Sequence, residues 1–123
     1  MWKRPENVHD TENATLWGSD GISPLAAEEG DVHDGWLLSA AAAIAENPGR
    51  IQDIFTNQQF SAEGIYELTF FVKGIANQLT IDDRLAMDSN QIPLNARESE
   101  NDGLWMILLE KAFAKLNVNY ANL

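Results

Sequence analysis

The chain has 123 residues, a length that suits one compact domain with its own core. Its 8 basic and 19 acidic residues give a net charge of -11, which disfavours nucleic acid and anionic membranes and favours cations or basic protein partners, although solubility is its plain interpretation. The absence of cysteine excludes disulfides, thiolate metal sites and thiol catalysis.

Neither a secretory signal nor a membrane span is predicted. Met1-Trp2-Lys3-Arg4-Pro5 carries charge but has no hydrophobic segment behind it. The longest apolar stretch, residues 36–45, has half of the roughly 20 residues that a membrane span needs. Together with the missing cysteines, these features predict a soluble intracellular protein.

Residues 1–32 are predicted to form an irregular arm. They are polar, with scattered apolar anchors and several Gly and Pro residues, and no helical or strand period persists. The anchors include Trp2 and Trp17, which are costly to leave in water, so we expect the arm to lie in order across a core. A disordered tail is the alternative.

An apolar helix is predicted to begin at about residue 34. Asp34 is placed to cap it, Gly35 lies in its first turn, and a run of Leu and Ala follows up to Glu46. Asn47-Pro48-Gly49 then ends it. Because this helix is apolar on every side, we expect it to be buried on every side at the centre of the domain.

The next segments predict a short helical piece and a hairpin. Apolar spacing in residues 50–55 predicts one or two further helical turns, and residues 56–64 form a polar loop. Residues 65–72 and 75–81 are rich in β-branched and aromatic side chains and flank Lys73-Gly74, which predicts a β-hairpin.

A last amphipathic helix is predicted from Gly103 to about Asn117, with Asp102 as its cap. Glu110, Lys111 and Lys115 are expected to lie largely off its apolar face. That face consists of Trp105, Leu108, Leu109, Ala112, Phe113 and Leu116. The predicted fold class is α+β, with the arm (1–32) followed by a helix–hairpin–helix core (33–123).

Four segments, in this order, resemble a known family. They are Trp2-Lys3-Arg4-Pro5, Asp34-x-Trp36-Leu37-Leu38-x-Ala40, Ile81-Asp82-Asp83-Arg84-Leu85, and Leu109-Glu110-Lys111-Ala112-Phe113-Ala114-Lys115-Leu116-Asn117 with Tyr120 three residues on. Together they resemble the first, cysteine-bearing subdomain of the papain-like protease core of calpains. The resemblance covers residues 1–123 and implies a calpain half-domain with a buried central helix, a hairpin and a C-terminal amphipathic helix.

The catalytic positions that the resemblance implies are degenerate. The nucleophilic cysteine should stand directly before the helix tryptophan, where this chain has Gly35, and the oxyanion-hole glutamine six residues earlier falls on Glu29. The catalytic histidine and asparagine belong to a second subdomain, which we expect to be absent, and His9 and His33 match neither role. The resemblance therefore implies a pseudoprotease.

The calcium site that the resemblance implies is also degenerate. The glycine of its loop has a counterpart in Gly21, but the acidic residue five positions on is Ala26 and the glutamate two positions before Trp105 is Gly103. Too few charged oxygens remain for a hard divalent cation, so no metal and no other cofactor is predicted. Compensation by Asp20, Asp31 or Asp102 is the alternative.

Three further candidate sites are better explained by structural roles than by chemistry. His33-Asp34 could be a metal or acid–base pair, but capping by Asp34 is favoured. Asp82-Asp83 with Asp88 lacks the spacing of a calcium loop, so a solvated turn with an ion pair to Arg84 is favoured. Ser39 lies within a helix without a histidine at a recognisable spacing, so a serine nucleophile is disfavoured.

The predicted function is that of a catalytically inactive structural or adaptor domain in a larger intracellular assembly, with the cytoskeleton or a cilium as the favoured cytoplasmic setting. Protein partners are expected, with no nucleic acid, no membrane insertion and no small-molecule substrate. The candidate contact residues are Trp36, Trp105, Trp17 and Trp2. The alternatives are a regulatory pseudoprotease that pairs or competes with an active calpain, a calcium-binding module, and a hydrolase that uses unrelated residues.

Overall fold

The computed structural model describes residues 2–3, 15–18, 21–22, 27–28, 35–59, 61–86, 97–98 and 104–117. These residues form a mixed α+β fold, as the sequence predicts, with three helices and three two-stranded antiparallel sheets. The helices are α1 (Gly35–Ile44), α2 (Pro48–Gln52) and α3 (Trp105–Leu116). The paired strands are β1 (Trp2–Lys3) with β5 (Leu85–Ala86), β2 (Ala27–Glu28) with β6 (Arg97–Glu98), and β3 (Ile65–Val72) with β4 (Ile75–Asp82).

The long hairpin β3–β4 forms as predicted, and β4 extends one residue further, to Asp82. Lys73 and Gly74 connect the strands with φ angles of 52° and 78°. Two positive φ angles are typical of a type I′ turn, whose twist matches that of the flanking strands. The Lys73-Gly74 dipeptide therefore sets a register that runs from Val72 opposite Ile75 to Ile65 opposite Asp82.

The outer edge of β3 is covered near its base by the segment after α2. Thr56 N donates to Glu67 O and Thr69 N donates to Ile54 O, both at 2.9 Å, and Phe55 bridges to Leu68. These bonds attach the predicted helical piece to the hairpin. Helix α2 begins at Pro48, whose missing N–H costs nothing at a first helical position, and the chain turns after Gln52.

The core lies around α3, which contacts both β4 and α1. All residues from 104 to 110 are buried. At the start of α3, Leu104 N and Trp105 N donate to the carbonyls of Thr15 and Leu16 at 2.9 and 3.0 Å. Outside α3, the buried cluster comprises Leu16, Leu38, Ala41, Ala45, Ile51, Phe55, Tyr66, Leu68, Ile81 and Leu104.

The prediction that α1 is buried on every side is wrong. Leu37, Leu38 and Ala41 are buried, but Trp36 is 55% exposed and Ile44 is also exposed. Neighbouring elements cover only one side of α1, because α3 occupies the centre of this small domain. Helix α1 ends at Ile44, two residues before the predicted end at Glu46.

The predicted placement of Glu110 off the core is also wrong. Glu110 is fully buried, as are Met106 and Ile107 beside the predicted face. Helix α3 is covered on more than one side over its first two turns, so its amphipathic pattern applies to its C-terminal half. There Lys115 is exposed, in line with the prediction, whereas only 14% of the Lys111 side chain is exposed.

Several predictions lie outside the described residues, including the cap Asp34 and most of the predicted arm. The division of the chain into an arm and a core therefore stays a prediction. Helix α3 begins at Trp105 with Leu104 at its N-cap position, so the predicted start at Gly103 with Asp102 as the cap is wrong. Within the part of the chain that the structure describes, every helix is too short to cross a lipid bilayer.

Candidate functional site

The N-terminus of α1 is the candidate site because a helix start is a positively charged end with free backbone N–H groups. Gly35 is the first residue of α1 and is partly exposed, and Trp36 follows it. Since glycine carries no side chain, this residue offers only backbone atoms. It supplies neither a nucleophile nor an acid or base.

Trp36 is anchored on one side by an aromatic row that joins α1, α3 and β3. Its ring packs edge-on against Phe113 with centroids 5.7 Å apart, and Phe113 packs edge-on against Phe70 at 5.8 Å. Such pairs contribute about 0.5–1.5 kcal/mol each beyond area burial. The aromatic row holds Trp36 in place and leaves its other side open to solvent.

The four tryptophans predicted as contact residues have different environments. Trp105 is 0% exposed, so its placement on a contact surface is wrong: its position at the start of α3 puts it in the core. Trp17 is partly buried, packs edge-on against Phe55 at 5.3 Å, and donates from Nε1 to Gln58 O at 2.9 Å. Trp2 is 51% exposed. Trp2 and Trp36 therefore remain the candidates that a partner could reach.

Lys111 ties three parts of the chain together. Its ammonium group pairs with the Asp82 carboxylate and donates to the carbonyls of Asp82 at 3.0 Å and Arg84 at 2.7 Å. It also lies 5.0 Å from the ring centroid of Trp2, within cation–π range. Helix α3 is thus joined to the end of β4 and to β1.

The Asp82 carboxylate therefore pairs with Lys111, and it also accepts the backbone N–H of Arg84 at 3.1 Å. The predicted ion pair to the Arg84 side chain stays a prediction. The predicted solvated turn is wrong, because Asp83 is fully buried and its N–H donates to Gly64 O at 2.9 Å. Sequence reasoning missed the pairing with Lys111 because 29 residues separate the partners and no local spacing signals it.

The pKa of Asp82 is set by opposing effects. Burial of the carboxyl would raise its pKa, but the hydrogen bond and charge of Lys111 outweigh burial, with help from the N–H and charge of Arg84. The pKa of Asp82 therefore lies below its ordinary value. This difference links the Lys111 ion pair to the pH dependence of stability.

The Asp82→Asn variant should show that dependence. The folded pKa is below the unfolded value of about 3.9, so the ion pair stabilises the fold above about pH 4 and is lost as the pH falls through the folded pKa. Because Asp82 is half-exposed, we expect the wild type to be more stable than the variant at neutral pH by less than about 1 kcal/mol, and this advantage to shrink below about pH 4.

Urea unfolding from pH 7 to pH 2.5 would measure this difference. The same substitution in a Lys111→Met background is the control and should show a smaller advantage of Asp82 at neutral pH, because only burial and the contributions of Arg84 then act on its pKa. An advantage of the wild type that grows towards acid pH would contradict the assignment.

The calcium positions are only partly described. Gly21 lies in a turn with φ of 79°, and its N–H donates to Gly18 O at 3.1 Å. Ala26, Gly103 and the oxyanion position Glu29 lie outside the described residues. Within the residues that are described, no group of three or more His, Asp or Glu side chains could hold a metal ion. The predicted loss of calcium binding stays a prediction.

Comparison with known proteins decides the family. The profile of the family described as calpain family cysteine protease matches residues 1–123. This chain belongs to the calpain family. The family predicted from the four ordered motifs is thereby confirmed, and the mixed α+β fold agrees with a calpain protease core.

Curated calpains align along nearly the whole chain. It is 32% identical to Calpain-13 of Rattus norvegicus over 124 residues, which is 99% of this chain and 18% of that protein. It is 34% identical to the calpain-type cysteine protease DEK1 of Zea mays, over 97% of this chain and 6% of that protein. Calpain-5 of Caenorhabditis elegans is 31% identical over 100% of this chain and 19% of its own length. The chain thus spans less than a fifth of each of these relatives.

Proposed function

We propose that this calpain-family domain is not a peptidase and acts as a structural or adaptor module in a larger protein assembly. The observation that carries the proposal is Gly35 at the first position of α1, directly before Trp36. The family resemblance assigns the nucleophilic cysteine to this position. Glycine has no atom that could attack a peptide carbonyl or form an acyl-enzyme.

The residue types elsewhere support the same conclusion. Glu29 stands at the position assigned to the oxyanion-hole glutamine, and a carboxylate there would repel the developing oxyanion instead of donating a hydrogen bond. The chain has no cysteine at any position, so no neighbouring thiol could replace the lost one.

An exposed face of α1 supports the adaptor role. Trp36, Ser39, Ala40, Ala43 and Ile44 are all exposed, and their spacing of three and four residues places them on one side of the helix. This α1 face is largely apolar and has an aromatic residue at one end, as is typical of protein contact surfaces. A protein partner that covers it would remove this surface from water.

The favoured setting is a cytoplasmic assembly of the cytoskeleton or a cilium, by analogy with calpain-like domains of protist flagella that lack the cysteine. In that setting the calpain core contributes shape and contact surface.

A peptidase assay tests the catalytic part of this proposal. The full natural chain is incubated with fluorogenic casein and calcium, and an active calpain serves as the positive control. We expect no release of fluorescence above the protein-free blank. Turnover that Glu29→Gln or His33→Ala abolishes would overturn the proposal in favour of a hydrolase that uses unrelated residues.

Site-specific photo-crosslinking in cells tests the adaptor part. A photoreactive amino acid replaces Ala40 on the α1 face, and the same replacement at exposed Gln52 on α2 is the matched control. We expect adducts from position 40 to contain a cytoskeletal or other non-protease partner. Adducts with an active calpain would favour the regulatory alternative, and equal labelling from both positions would contradict a contact role for this face.

A further inference from the structure

The outer edge of β4 combines unpaired backbone groups with an adjacent apolar groove. Val72 and Ile75 flank the two-residue turn, so they form a hydrogen-bonded pair of the ladder, and every second residue from Ala76 onward directs its N–H and C=O away from β3. Ala76, Gln78, Thr80 and Asp82 are the outward residues. The edge they form is divided into two halves that differ in their hydrogen bonding.

Two lysines of α3 block the half of the edge near the base of the hairpin. Lys115 Nζ donates to Thr80 O at 2.5 Å, and Lys111 Nζ donates to Asp82 O at 3.0 Å. Lysine side chains on an edge are a common protection against the addition of another strand. Strand pairing is thereby disfavoured along this half.

The half near the turn has no such protection. Among the described residues, none makes a hydrogen bond to the outward N–H or C=O groups of Ala76 and Gln78, and both residues are exposed. With respect to the described part of the chain, these four backbone groups can therefore pair with an extended chain.

A groove of about 550 Å³ lies beside this half of the edge, between the hairpin turn and the C-terminus of α3. Val72, Ile75, Phe113 and Leu116 supply its apolar lining, and Ile75 is 68% exposed. Its charged lining residue is Lys73. An apolar groove next to an open strand edge fits alternate side chains of an added strand.

We propose that the Ala76–Gln78 edge of β4 binds an extended protein segment as an added strand, with apolar side chains in the groove and an acidic side chain beside Lys73. Backbone hydrogen bonds to Ala76 and Gln78 supply the pairing, and the groove selects the side chains. The preference of the groove for an acidic side chain depends on nearby Lys73. The acidic residues elsewhere on the chain oppose it little, because charges more than about 8 Å away are largely screened at physiological salt.

A second copy of this chain is a poorer occupant. Pairing two β4 edges would add a second Lys73 where the groove needs an acid. The segment therefore comes from a different protein. This inference does not depend on whether the domain has peptidase activity, because the edge lies on the hairpin and does not include Gly35.

Selection from a phage-displayed library of random nine-residue peptides tests the proposal on the immobilised full chain. We expect enriched peptides to alternate apolar with other residues and to contain Asp or Glu. Against the best peptide, measured by fluorescence anisotropy, Gln78→Pro should weaken binding at least tenfold because it removes the outward N–H and adds a ring to the edge. Gln78→Thr keeps the N–H and should change Kd by less than twofold.

N-methylation of the peptide gives a readout that does not depend on how well a protein variant folds. In an added strand, every second N–H points towards β4 and the others point away from it. Methylating the amides that point towards β4 should abolish binding, whereas methylating the others should leave binding nearly unchanged. The proposal is overturned if no peptide is enriched, if both methylated series bind equally, or if Lys73→Glu leaves the acidic preference intact. It is also overturned if sedimentation shows a dimer that Gln78→Pro dissociates, because the occupant would then be a second copy.

Discussion

Trp105→Ala is expected to lower the free energy of unfolding by about 3–5 kcal/mol, the typical cost of removing a buried tryptophan from a core. Trp105 is fully buried at the first position of α3, and its backbone N–H donates to Leu16 O at 3.0 Å. The substitution opens a cavity where the N-terminal segment joins the central helix. Domains of this size have only about 5–15 kcal/mol of stability, so the loss is a large fraction of the total.

Guanidinium unfolding followed by circular dichroism measures this effect, and Trp36→Ala is the matched control. Trp36 is half-exposed and retains mainly its contact with Phe113, so its loss should cost about 1 kcal/mol. Equal losses for the two variants would contradict the central position of α3.

Trp105→Phe is a milder variant that can be measured if Trp105→Ala does not fold. Trp105→Phe keeps an aromatic ring and removes an indole N–H that is buried without a hydrogen-bond partner in the described structure. Because an unsatisfied buried donor is itself destabilising by about 1–3 kcal/mol, this variant should lose much less stability than the alanine variant.

Gly35→Cys is expected to create a thiol whose pKa is below the ordinary value of about 8.5. The new side chain lies at the first residue of α1, where the positive end of the helix stabilises a thiolate. The start of the helix should lower the thiol pKa by roughly half to one pH unit. We expect no peptide hydrolysis from this variant, because a thiolate alone does not restore the general acid or the oxyanion donor.

The rate of alkylation by iodoacetamide as a function of pH gives the thiol pKa directly, because the chain has no other cysteine. Ser39→Cys is the matched control, since Ser39 is exposed on the same helix one turn further along. Identical titration curves for the two thiols would show that the start of α1 does not favour a negative charge.

The elements that sequence reasoning predicted well depend on neighbouring residues. The hairpin follows from alternating side chains around Lys73-Gly74, and both residues of that turn adopt the positive φ angles that the turn requires. The break between α1 and α2 follows from Pro48, which begins one helix and cannot continue another. The family could be recognised because four short motifs occur in the correct order.

The elements that sequence reasoning placed wrongly depend on which surfaces meet. The composition of α1 shows that it is apolar but not which of its sides is covered, so burial on every side was predicted, whereas one side of the helix with Trp36 and Ile44 is exposed. For Glu110, the helical pattern indicated a solvent-facing position, yet its side chain lies within the protein. Lys111 could not be assigned to Asp82 because the pair forms only after α3 packs beside the end of β4.

By itself, the amino-acid sequence determined the chemistry at the start of α1. A glycine there carries no nucleophile in any fold, and a chain without cysteine has no other thiol to offer. It also determined the hairpin, because its turn and alternation are local. Only the tertiary structure decided that α3 is the core helix, that Trp36 faces solvent and Trp105 does not, and that no described residue pairs with the Ala76–Gln78 edge. Burial and edge pairing depend on contacts between segments far apart in the chain, and those contacts exist only once the elements have packed together.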